Sequence, residues 1–303
     1  MRAAACLVLG VVLAGPAFAK AAAEPVTRTI QAHGATVRVD FPSTDFTRGT
    51  APIVAWIEKS MAIVARYYGQ FPARELRISV IARSGGQVRH GTTYGTRVPF
   101  IRLQIGREVS AEDLHDDWVL VHEMVHLALP EVGEDHVWLT EGLSTYVEGI
   151  ARVQAGELRP ERVWAEQVRS MPNGLPAQGD AGLDRTHTWG RTYWGGALFC
   201  LLADVEIRKK TGNRLGLRDA LRAILRSSGG VSFDMPIDQV FEVGDEATGT
   251  SVLRDLYAQM KDKPMSPDLP QLWQQLGIRQ RGASVEFDDS APLAATRQAI
   301  MTP

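Results

Sequence analysis

Two histidines four residues apart, with a glutamate directly after the first, constrain this chain more than any other stretch: His122-Glu123-Met124-Val125-His126. On an α-helix this spacing stacks both imidazoles on one face, one turn apart, where they can reach one metal ion at about 2.0–2.1 Å from each nitrogen. Glu123 lies about 100° further round the helix. From there its carboxylate can take a proton from a water at the ion instead of binding the ion itself. The flanks support a helix. Ser110-Ala111-Glu112-Asp113 reads as a capping box, Trp118 to Leu129 is mostly apolar, and Pro130 ends the run. One helix from about 111 to 129, buried on most sides, is therefore expected. Buried imidazoles and a buried carboxylate need partners, and a metal ion would supply them.

A second helical segment starts near Val137, after the connection Glu131 to His136, and reads Trp138-Leu139-Thr140-Glu141-Gly142-Leu143-Ser144. Glu141 stands among apolar residues, and Gly142 after it lets another backbone come close. A helix folded back on the first would carry Glu141 to the two imidazoles. Two His and one Glu leave one position of a four-coordinate zinc open, which is the arrangement of a catalytic rather than a structural site. Glu134, Asp135 and His136, in the connecting loop, are competing ligands.

The two segments together, His122-Glu-x-x-His126 and Trp-Leu-Thr-Glu141-Gly-Leu-Ser, resemble the gluzincin metallopeptidases, above all the aminopeptidase N and glycyl aminopeptidase families with their W-L-x-E-G signature. The resemblance implies that Glu141 is the third ligand of one Zn²⁺ per chain and that Glu123 is the general base. It also implies a peptide or protein substrate and an α+β fold of the thermolysin-like, gluzincin type. The connection between His126 and Glu141 is shorter than in those families. Arg191-Thr192-Tyr193-Trp194-Gly195-Gly196-Ala197 resembles their Y-x-K-G-A segment, which implies that Tyr193 donates to the oxyanion. Gly195 stands where that pattern has lysine. His187 is the second candidate for oxyanion donor or substrate contact. The polar, flexible run His90-Gly91-Thr92-Thr93-Tyr94-Gly95 is expected to touch substrate at the cleft edge, with Tyr94 its aromatic member. The G-x-M-x-N segment that binds a free substrate amine in aminopeptidase N has no counterpart, so the resemblance carries no aminopeptidase specificity. The alternative to a peptidase is a catalytically silent envelope binding or assembly protein of the same fold.

The rest of the chain frames these motifs. Residues 1–19 read as a secretory signal: Met1-Arg2, an apolar stretch, then Ala17-Phe18-Ala19. Periplasmic or secreted localisation follows. Cys6 falls in the signal, which leaves Cys200 alone, in an apolar helical run, for packing. A formal charge of −2 with both signs mixed along the chain gives no footprint for nucleic acid, and no later apolar run approaches membrane-spanning length. A β-rich part over 20–109 is expected to hold a hairpin across 26–41 with His33 in its turn, a helix over 51–69, and strands at 76–81 and 98–105 joined by a Gly-rich segment from Ser84 to Gly95. A helical part over 110–276 then carries the metal motifs and a helix through Tyr193 to Gly212, followed by helices at 217–225, 252–260 and 269–276. The last part, 277–303, holds a strand at 285–287 and a tail that frays or docks as a short helix. Oligomeric state is not legible in these features.

Overall fold

The computed structural model describes residues 24–303; the proposed signal and Cys6 lie outside them. The expected hairpin is present as β1 (Val26–Ala32) and β2 (Ala35–Phe41), turned by His33 at φ 53° and Gly34 at φ 78°. Helix α1 (Ala51–Tyr68) follows, and Gly69 ends it in the left-handed conformation. Three more strands complete a sheet: β3 (Glu75–Arg83), β4 (Val88–Tyr94) and β5 (Phe100–Gly106), in the order β1-β2-β3-β5-β4. The pairs β2–β3 and β3–β5 are parallel, and the outer pairs are antiparallel, so the sheet is mixed. Its strands alternate as half-buried strands should. Val37, Val39, Leu76, Ile78, Val80, Ile101, Leu103 and Ile105 are buried, with more exposed residues between them.

Two expectations change here. The Gly-rich segment between the strands contains a strand of its own, β4, antiparallel to β5 with a bulge between Val88 and His90. Polar residues, a glycine and the bulge hide its alternation in the sequence, and it forms because β5 offers it an edge. The expected single helix over 111–129 is two: α2 (Ala111–Asp116) and α3 (Val119–His126). The capping box is present at the start of α2, with Ser110 and Asp113 bonded reciprocally. Asp117 then turns extended, at ψ 141°, and its Oδ2 accepts from the Leu120 N–H at 3.3 Å, which restarts the helix.

The helical half begins with α4 (Val137–Gln154) and α5 (Pro160–Ser170). A π-helical turn, Gly190–Gly195, leads into α6 (Gly196–Thr211), followed by α7 (Leu217–Ser228), α8 (Ile237–Thr248), α9 (Val252–Met260) and α10 (Leu269–Gln275). Of these α5 and α8 were not anticipated; their polar composition narrows the apolar stripe that marks them. The expected last strand is β7 (Ser284–Phe287), paired with β6 (Ile278–Arg281), and the tail docks as α11 (Ala294–Met301). One hydrophobic cluster runs from the sheet through α1 and α3 into α4, α6 and the later helices, and Cys200 is buried within it. No helix among the described residues is long and apolar enough to cross a membrane.

The closest approach in this half is backbone to backbone. A β-carbon on Gly142 of α4 would overlap the Gly196 main chain, and one on Gly196 would overlap the Trp138 carbonyl. Glycine at both positions is what lets α4 and α6 lie together. Gly142→Ala or Gly196→Ala should each cost about 1–3 kcal/mol through overpacking; thermal denaturation should show Tm falling by about 2–4 °C per kcal/mol. An unchanged Tm in both would contradict the packing described.

Candidate metal centre

Helix α3 carries the motif into the core: His122 is 5% and Glu123 7% exposed. Their neighbours on the helix, Leu120, Val121, Met124 and Val125, are apolar and buried, so packing fixes the helix rotation and with it the direction of the three polar side chains. Helix α4 packs against α3 and points Glu141 back at the imidazoles. Glu141 Oε2 lies 3.2 Å from His122 Nε2 and 3.5 Å from His126 Nε2. His122, His126 and Glu141 form the one group of three potential ligands among the described residues, each offering one atom, with all three atoms within 4.8 Å of one another.

These distances test the fit of a metal. Ligand atoms bound to zinc at about 2.0–2.2 Å with tetrahedral angles lie about 3.3–3.6 Å apart; of the two separations from Glu141, 3.5 Å falls within that spacing and 3.2 Å just below it. The donor set, two imidazoles and a carboxylate, suits zinc. Charge is arranged to match. Burial holds His122 below its ordinary pKa, which keeps its imidazole neutral. Burial acts on His126 in the same sense, but the adjacent Glu141 carboxylate outweighs it and raises the value. Burial opposes ionisation of Glu141 too, yet hydrogen bonds to both imidazoles draw its pKa down to about 2. The site therefore sets a negatively charged carboxylate against two imidazole nitrogens. His122 Nδ1 is buried without a hydrogen-bond partner, so the ring is oriented by packing, edge-on to Trp118 and stacked with Tyr193.

Glu123 does not join the ligands. Thr93 Oγ1, on β4, donates to its carboxylate at 2.7 Å and sits 2.9 Å from its main-chain oxygen. Gly91, two residues earlier on the same face of the strand, leaves room for it, since a β-carbon there would press on the Glu123 side chain. Thr93 and Gly91 were grouped in the sequence only as members of a polar loop. Their period-two spacing beside the His-Glu-x-x-His helix was the available signal.

Tyr193 stands on the π-helical turn, half-buried, at the edge of the same cleft. Burial, then the carboxylates of Glu141 and Glu123, raise its pKa, so the phenol stays protonated and able to donate. The turn is held by Arg191, 3% exposed, which pairs with Asp180 at 2.8 Å and donates to the Gly174 carbonyl. Gly195, where the resembling pattern has lysine, packs near Leu183 and the Arg191 guanidinium, so a cation already occupies that neighbourhood.

The cleft has a volume of about 480 Å³, and β4 residues from Arg89 to Thr93 form one wall. Because β4 ends the sheet order, its outer edge carries unpaired main-chain groups along that wall. Two named candidates stand apart. Tyr94 lies just beyond the lining residues, 37% exposed and stacked on Phe100. His187 is exposed and lines neither this cleft nor the space behind it, because the turn that inserts Tyr193 leaves residue 187 on the outer surface. The competing ligands are elsewhere as well. Glu134 and Asp135 are exposed, and His136 pairs with Asp184 at 3.1 Å.

The fold has counterparts among solved structures. An aminopeptidase N family protein from Idiomarina loihiensis matches with a TM-score of 0.61 at 15% identity, over 84% of this chain and 49% of that one. Yeast LTA4 hydrolase matches at 0.55 and 15% identity, over 82% and 40%, and an M1 zinc metallopeptidase from Deinococcus radiodurans at 0.52 and 14%, over 80% and 53%. This chain spans about half the length of these proteins. No family model matches the sequence, and no curated protein does. The shared architecture is thus the α+β, gluzincin aminopeptidase-like fold that the two motifs implied.

Purified protein should contain one zinc per chain by metal analysis, and Glu141→Ala should lose it or bind at least 10-fold more weakly. Equal zinc in the wild type and in that variant would remove Glu141 from the ligand set.

Proposed function

We propose that this chain is a zinc-dependent metallopeptidase that hydrolyses peptide bonds in the cleft between β4 and the α3–α4 pair. The observation that carries the reading is the convergence of His122, His126 and Glu141 on one point, with a fourth carboxylate, Glu123, beside it and tied to Thr93 instead. A structural metal site would have no use for that extra buried acid. One solved counterpart, the Deinococcus radiodurans M1 zinc metallopeptidase, holds a bound Tyr-Ser-Ala substrate, which supports a peptide as the class of ligand here.

Zinc held by His122, His126 and Glu141 would supply Lewis acidity, polarising a carbonyl and making water easier to deprotonate. Glu123, its carboxylate oriented by Thr93, accepts the proton of the attacking water and returns it to the departing amine. Tyr193, kept neutral and aimed across the cleft, donates to the oxygen on which negative charge develops. The free edge of β4 offers main-chain donors and acceptors to an extended peptide, which would add to the sheet as a further strand. The apolar N-terminal stretch and its small-residue cleavage site support action outside the cytoplasm after export, in the periplasm or the medium.

Glu123→Gln should keep fold and zinc while kcat falls about 10²–10⁴-fold on any cleaved peptide; retained turnover would sink the base assignment. Tyr193→Phe should lower kcat about 10²–10³-fold with little change in KM, and an unchanged kcat would return Tyr193 to a packing role. A broad peptide library left uncut by the zinc-loaded wild type would overturn the peptidase reading.

A further inference from the structure

Behind Tyr193 lies a second chamber of about 410 Å³. Trp118, His122 and Tyr193 line both spaces, so the two adjoin beside His122. The mouth is built of indoles. Trp118 is 53% and Trp189 63% exposed, large apolar surfaces left open to solvent, one edge-on to His122 and the other 6.0 Å from the Tyr193 ring. Neither is explained by the core or by the metal site.

The far wall comes from α4 and α5 and is rich in oxygen acceptors: Glu148, Glu166 and Gln167. No lysine or arginine lines the chamber. Glu148 is paired from behind by Arg152 at 2.8 Å. Burial raises the Glu148 pKa to about 7 against the pull of Arg152, and Glu166 and Asp117 push it further up. Negative charge therefore exceeds what the one guanidinium neutralises. Glu166 is exposed and makes no ion pair among the described residues. Gln167 is only 4% exposed, yet its Oε1 has no hydrogen-bond partner. A buried amide oxygen without a donor is costly and uncommon in a folded protein, and the residue that carries it lines this chamber.

An apolar side chain in this chamber would leave the Gln167 oxygen unpaired and strip water from two carboxylates. An acidic one would add to the charge excess. A long side chain ending in a cation meets every demand at once, its stem along the indoles and its head, all donors and no acceptor, among the acceptors. We propose that this chamber is a specificity subsite of the enzyme that takes an arginine or lysine side chain of the peptide substrate, with Glu166 and Gln167 receiving the cationic head and Trp118 and Trp189 flanking the stem. The assignment rests on the peptidase reading above for its substrate but on separate residues for its chemistry.

Two measurements test it, and they separate its failure from that of the peptidase reading. The first compares kcat/KM for matched peptides carrying Arg, Lys, norleucine or Glu at each position next to the cleaved bond, in the wild type and in Glu166→Gln, an exposed position whose change should not disturb folding. Arg and Lys should exceed norleucine by about tenfold at one position, Glu should be poorest, and the preference should shrink to about twofold in Glu166→Gln. Equal rates for Arg and norleucine, or a basic preference that Glu166→Gln leaves intact, would overturn the subsite and leave peptide hydrolysis standing. If no peptide is cut, a titration with agmatine, a guanidinium on a four-carbon stem, decides the matter through tryptophan fluorescence. Saturable binding, weakened in Glu166→Gln, would uphold the chamber without the peptidase; no response would overturn it.

Discussion

Helix α4 lies on the backbone of α6 where Gly142 meets Gly196, and the site depends on that contact. Glu141 precedes Gly142 by one residue, and Tyr193 precedes Gly196 by three, so the same approach sets the position of a candidate metal ligand and of the phenol at the same cleft. Any side chain at either glycine would push the two helices apart and separate the two groups. On its other side α4 packs on α3, which supplies both imidazoles. The centre is thus a three-helix junction whose spacing is set by the smallest residue available.

A cluster of buried polar groups is expensive to assemble in a hydrophobic core, and its energetics explain the form of this one. His122, Glu123 and Glu141 would each be destabilising alone. Together, the Glu141 carboxylate compensates both imidazoles, and Thr93 compensates Glu123. A divalent cation at the same point would complete the compensation and couple binding to folding. The π-helical turn before α6 belongs to the same account. It interrupts regular helix pairing in order to place Tyr193, and the Arg191–Asp180 ion pair holds it in place.

The sheet contributes at its margin. Its buried face serves the core, but β4, the last strand in the order, turns a short and largely polar edge toward α3. That edge orients Glu123 through Thr93 and leaves unpaired main-chain groups along the cleft. On the opposite side of the metal ligands, α5 and the exposed indoles enclose an acid-lined chamber. A bound chain would lie between an edge that reads backbone and a chamber that reads a side chain, which is a common division of labour in peptide recognition.

The primary structure by itself pointed to the candidate metal ligands. A His-Glu-x-x-His run flanked by apolar residues has one useful geometry, a buried helix, because the helical period stacks both imidazoles one turn apart, whereas a strand would leave them on one face but about 13 Å apart. The W-L-x-E-G segment and the tyrosine before Gly-Gly-Ala were legible for the same reason: their chemistry and their local structure reside in a few consecutive residues. The hairpin, α1, α4 and the capping box at Ser110 were legible from period and turn chemistry. What the tertiary structure alone decided depends on contacts between distant segments. Strand β4 exists because β5 gives it an edge, Thr93 reaches Glu123 because that strand crosses α3, and His187 is outside the cleft because the π-helical turn faces Tyr193 inward. Asp117 divides the motif helix from its predecessor, a choice between two local hydrogen-bonding patterns that packing settles. The chamber has no continuous signature at all, since α4, α5 and the segment around Trp189 contribute to it from separate parts of the chain. Side-chain chemistry is written locally, but which groups share a space is decided by how the helices pack.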